Sequence, residues 1–153
     1  MICGRRIASV LVVALAVLAA GCRGGDDRSD LSMQVGALCD EARLDIEALG
    51  LPSETGIAVI TPWANRGTRL VKDIRALDGG SASEQETVAA LATALDEYYA
   101  GLRLGHIIYK QTRSAEAYAQ TIERAKAFQA DADAAATKLG ATECTRRPFD
   151  EAA

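Results

Sequence analysis

Aromatic side chains are scarce in this chain: one tryptophan, two phenylalanines and four tyrosines make up 5% of it. Histidine is scarcer still, with His106 standing alone. Covalent haem attachment needs a Cys-x-x-Cys-His run, and none occurs. A di-iron centre in a helical protein needs Glu-x-x-His pairs, which are also missing. There is no Gly-x-Ser-x-Gly elbow, no Walker loop, and no Ser/His/Asp set in a workable frame. The acidic groups Asp26–Asp27 and Asp131/Asp133 lack the spacing of a calcium loop and read as solvated faces. No polar–apolar alternation of any length appears, which argues against a sheet. Beyond residue 21, no segment is apolar enough to span a bilayer.

What the chain does have is a distinctive beginning. Arg5 and Arg6 precede an apolar run from Ile7 to Ala20, and the chain turns polar directly after Cys22. A basic start, an apolar middle and small residues before a cut describe an export signal, not a folded element. The run is shorter than the roughly 18–20 apolar residues that a membrane span requires. A plain secreted signal has no need of a cysteine directly after Gly21. The ending Leu18-Ala19-Ala20-Gly21-Cys22 resembles a bacterial lipobox. That resemblance implies cleavage before Cys22 and a diacylglycerol on its sulfur. It also implies membrane anchoring on the extracytoplasmic face. With about 0.8 kcal/mol for each buried CH₂, two or three acyl chains hold firmly where one does not.

Removal of residues 1–21 from the 153 leaves 132, enough for one modest domain. Losing Arg5 and Arg6 takes the 17 basic side chains to 15 against 21 acidic ones, a net charge near −6. Such a domain is repelled by nucleic acid and by anionic headgroups, so nucleic acid is not an expected partner. With Cys3 in the signal and Cys22 lipidated, Cys39 and Cys144 remain. An even pair in an oxidising compartment reads as a disulfide, the alternative being two free buried thiols. Two lone cysteines lack the ligand number of a zinc site.

Helical periodicity organises the rest. Residues 22–30 read as a polar tether. A first helix is expected over 31–49, capped by Ser29 or Asp30, with Leu31, Val35, Leu38, Ala42, Ile46 and Leu49 inward. Gly50-Leu51-Pro52 stops it. Residues 53–60 read as an apolar connection across one end of the fold. Thr61 and Pro62 look like a cap and first position for a second helix running to Leu77, with Trp63, Gly67, Leu70 and Ile74 in its seam. Ser83 and Glu86 suggest a capping box for a third helix. It reaches about Gln111 on a seam of Val88, Leu91, Leu95, Tyr98, Leu102, Gly105 and Tyr109. Gly101 and Gly105 each cost such a helix about 1 kcal/mol, which close approach by a neighbour explains. A fourth helix is expected from Ser114 to Leu139, with Tyr118, Ile122, Ala125, Ala132 and Ala136 inward and Phe128 beside them. Gly140 closes it, and 146–153 is a loose tail.

Four amphipathic helices with short links predict an all-α, antiparallel up-down-up-down four-helix bundle over 31–145. In that topology the fourth helix ends beside the start of the first, which brings Cys39 and Cys144 together. A bond between them closes nearly the whole domain, and the alanine-rich fourth helix is expected to lean on it most. The lipobox, Ala37-Leu38-Cys39 and the closing Leu139-Gly140-Ala141-Thr142-Glu143-Cys144 resemble small actinobacterial lipoproteins and secreted proteins. The resemblance implies a helical extracytoplasmic domain and contributes no catalytic residue.

Two functional readings follow. The first is a lipid-anchored binding or interaction module with a cell-envelope protein partner, no catalysis, and no cofactor beyond the acyl lipid on Cys22. The second is a small-ligand, haem or metal-binding bundle using His106. Tyr98, Tyr109, Tyr118 and Trp63 then line its pocket, because these side chains pair an apolar body with a polar tip. Met33 offers a second axial ligand only in principle, since it belongs near the other end of the bundle.

Overall fold

The computed structural model describes residues 28–50 and 57–146. Among them every regular element is helical, and there is no strand. The elements are α1 (Asp30–Ala48), a 3₁₀ turn (Ile57–Val59), α2 (Ile60–Arg75), α3 (Ala82–Thr112), α4 (Ala115–Leu139) and a closing 3₁₀ turn (Thr142–Thr145). None of the described helices is long and apolar enough to cross a membrane. The signal peptide 1–21, Cys22, the stop at Leu51-Pro52 and the tail beyond Arg146 lie outside the described residues.

Three of the four helix starts carry a serine cap. Ser29 caps α1, its hydroxyl accepting the Ser32 amide, which matches one of the two expected caps. Ser114 does the same for α4 through the Ala117 amide. The box of α3 lies two residues earlier than the sequence suggests. Ser81 accepts the Glu84 amide, and Glu84 returns a bond to the Ser81 amide, so Ser83 and Glu86 sit inside the helix. Asp78-Gly79-Gly80 permits the earlier start, because both glycines take positive φ and bring the chain back tightly.

The second helix corrects another expectation. It begins at Ile60, continuing directly from the 3₁₀ turn, and its cap position, Val59, offers no side-chain bond. Thr61 is therefore inside the first turn, its hydroxyl used elsewhere. Pro62 is still accommodated there, because first-turn amides have no intrahelical partner to lose. Leu77 falls beyond the end of α2 at Arg75 but still packs on the core. Leu49, expected in the core, lies just past the end of α1 at Ala48 and is 40% exposed. Phe128 is exposed as well.

The core runs through all four helices: Val35 and Ile46 of α1, Trp63 and Ile74 of α2, Leu91, Leu95 and Leu102 of α3, Ala132 and Ala136 of α4. The most extensive contact is between α3 and α4, followed by α2 with α3. A Cβ on Gly101 would lie 2.7 Å from the Ala125 methyl, and one on Gly105 would lie 3.1 Å from Ile122. The glycines inside α3 are there because α4 comes close. Gly67 of α2 is covered by the Tyr99 ring in the same way.

Along α1 the main neighbours are α2 and the closing 3₁₀ turn. Two links reinforce that second contact. Cys39 is bonded to Cys144, with 5.0 Å between their Cα atoms. Arg28 donates to Glu143 at 2.5 Å and reaches the Gly140 carbonyl. Residues 28 and 29, read from sequence as tether, are thus part of the fold: one grips the end of α4 and the other caps α1.

Candidate functional site

Trp63 and Tyr98 are buried core side chains, and Tyr98 meets Tyr99 edge to face with ring centres 5.1 Å apart. His106 lies between α3 and α2, where its Nδ1 and the Thr61 hydroxyl oxygen are 2.5 Å apart. Tyr109 of α3 and Tyr118 of α4 form a second edge-to-face pair at 6.0 Å, and burial pushes the Tyr118 phenol up from its ordinary value.

The structure therefore brings Tyr109 to Tyr118 and His106 to Thr61. The link to Thr61 is the function of a residue that sequence reasoning assigned to capping. None of Trp63, Tyr98, His106, Tyr109 and Tyr118 lines either of the two clefts described next. Among the described residues no cluster of three or more His, Cys, Asp or Glu side chains has a metal-binding arrangement. Met33 is turned to solvent on α1, 45% exposed.

One cleft lies beside the disulfide, between Arg43, Leu70 and Tyr99, with room of about 20 Å³, the space of about one water. The other is open and larger, about 350 Å³, at the end where α1 and α3 begin and α4 finishes. Ser29, Ser81, Glu84, Thr137 and Lys138 line it. The Glu84 carboxyl is held down at about 2, first by the Ser29 hydroxyl and then by the Ser81 amide and hydroxyl. Glu143, nearby in sequence to Gly140, is held below the usual carboxylate range by Arg28.

Sequence reading missed three polar anchors. Arg28–Glu143 ties the start of the domain to the turn after α4, and the Ser29 hydroxyl at the cap of α1 favours the charged form of Glu84 on α3. The third is Arg66, buried on α2, which donates to Asp45 at 2.5 Å and approaches Glu41 at 3.5 Å on α1. The only signal for it was Glu41 and Asp45 at i, i+4, facing the same way on one helix.

Neither family models, nor curated proteins, nor solved structures yield a match to this chain. Its functional reading rests on its own residues.

Proposed function

We propose that this chain is a lipid-anchored interaction module on the extracytoplasmic face of a bacterial cell membrane, binding a cell-envelope protein and catalysing no reaction. The observation that carries this reading is Leu18-Ala19-Ala20-Gly21-Cys22 followed so soon by folded structure. Arg28, six positions after Cys22, already grips Gly140 and Glu143. At up to about 3.5 Å per residue the intervening chain reaches on the order of 20 Å, so a lipid on Cys22 keeps this end of the domain close to the bilayer. The Cys39–Cys144 bond agrees with a compartment outside the reducing cytoplasm.

The same reading includes antiparallel order for the helices. It is supported by contacts that run in opposite senses: Thr61 with His106 and Arg75 with Asp96, then Gly101 with Ala125 and Tyr109 with Tyr118. The end where α1 and α3 start is then nearest the membrane, and the Tyr109–Tyr118 end is farthest.

The test of the anchor is direct. Labelled palmitate should enter the wild-type chain, and Cys22→Ser should abolish incorporation and either block cleavage or release the protein from membranes. Absence of label in the wild type removes the anchor from the proposal.

A further inference from the structure

α1 is apolar on two opposite sides. Leu31, Val35, Cys39, Ala42 and Ile46 are buried on the inner one. At about 100° per residue, Met33, Ala37, Leu44 and Ala48 fall within an arc of about 60° on the outer one. Met33 is 45% exposed and Leu44 57%, and both alanines are exposed too. Burial of the inner side accounts for the fold and leaves this second stripe unused.

Carboxylates border the stripe on both edges. Asp40 and Glu47 flank it on one side, with Arg43 between them. Glu41 and Asp45 flank it on the other, and their guanidinium partner, Arg66, is buried behind them. The cation is hidden while the acids are presented: the Glu41 and Asp45 side chains are 69% and 55% exposed, that of Arg66 only 7%. The face therefore offers an apolar strip with acidic rims, about 22 Å long from Met33 to Ala48 at 1.5 Å for each residue.

From this we infer that the outer face of α1 docks an amphipathic helix of a partner protein, with apolar residues on its seam and lysines or arginines along its edges. The acidic rims decide against the other occupants. Anionic lipid is repelled by them, and a second copy apposing the same face would set acids against acids. The inference rests on the proposed interaction role and names its surface and partner chemistry.

The probe is a fluorescent synthetic helix of leucine and lysine with its leucines at i, i+3, i+4 and i+7. Its control is a scrambled peptide of the same composition. The full chain is held in phosphatidylcholine nanodiscs, and anisotropy is read. The striped peptide should bind at least tenfold more tightly than the scrambled one, and more weakly as salt rises. Met33→Lys/Leu44→Lys, and separately Ala37→Lys, should each weaken it at least tenfold. Phe128→Lys, at an exposed apolar site on α4, should leave it unchanged. The inference is overturned if the wild type does not bind, if both peptides bind equally, or if the α1 variants bind as the wild type does. Retention of a native envelope partner by the α1 variants also overturns it, while leaving the interaction role itself intact. Capture in the nanodisc reports the lipid anchor independently of either peptide.

Discussion

The Glu84 carboxylate accepts from the Ser81 amide, and the Ser29 hydroxyl at the cap of α1 also favours its charged form. Its ionisation is favoured in the fold, which lowers its pKa from an ordinary 4.5 to about 2. Because the folded value is the lower one, this contribution is present above about pH 4.5 and is lost as pH falls toward 2. Glu143, held down by Arg28, adds to the same acid sensitivity. Thermal unfolding followed by circular dichroism at pH 5 and pH 2.5 should show a smaller drop in Tm for Glu84→Gln than for the wild type. An equal drop in both would remove Glu84 from the explanation. Residues like this were hard to see in sequence because their partners are remote: Ser29 is on another helix, and nothing in the local spacing marks it.

At the scale of elements, the α3–α4 pair is built on small residues. Gly101 lets α4 approach until the Ala125 methyl occupies the space a Cβ would take. Gly101→Val should therefore destabilise by about 1–3 kcal/mol, although glycine is the poorer helix former. Ala125→Gly in the same chain should recover part of that loss, since the two sites share one contact. Urea unfolding of the single and double variants checks this, and simple additivity would contradict it. The glycines in α3 were legible as close-approach sites, because glycine inside a long helix needs some compensation. Helix starts were less legible. Ser81 and Ser83 both precede a glutamate by three, and only the turn at Gly79-Gly80 selects the first.

For the whole molecule, the disulfide spans 105 positions and joins α1 to the turn after α4. In the chain-entropy view a loop of that length stabilises by about 4–5 kcal/mol, against a total of about 5–15 kcal/mol for a domain. The alanine-rich α4 was expected from sequence to depend on it most. The contacts point to α1, because α4 keeps its extensive packing on α3, whereas the larger contacts of α1 are with α2 and the closing turn alone. Reduction should lower Tm markedly and speed hydrogen exchange in α1 before α4. Two titratable thiols per unreduced, denatured mature domain would contradict the bond, and earlier exchange in α4 would contradict the assignment to α1.

Sequence alone determined the helical class, the number of helices and most of their inward residues, because a 3.6-residue period must bury whatever falls on one stripe. It also carried the signal-like start and the even pair of cysteines, both local or countable features. Tertiary structure decided the rest. Thr61 became a partner of His106 instead of a cap only once α2 lay against α3. Tyr98 met Tyr99, and Tyr109 met Tyr118 across two helices, which spacing along the chain does not specify. Arg28 passed from tether to clamp because Glu143, 115 positions away, arrives beside it. Periodicity specifies which side of a helix is buried; only packing specifies what that side meets.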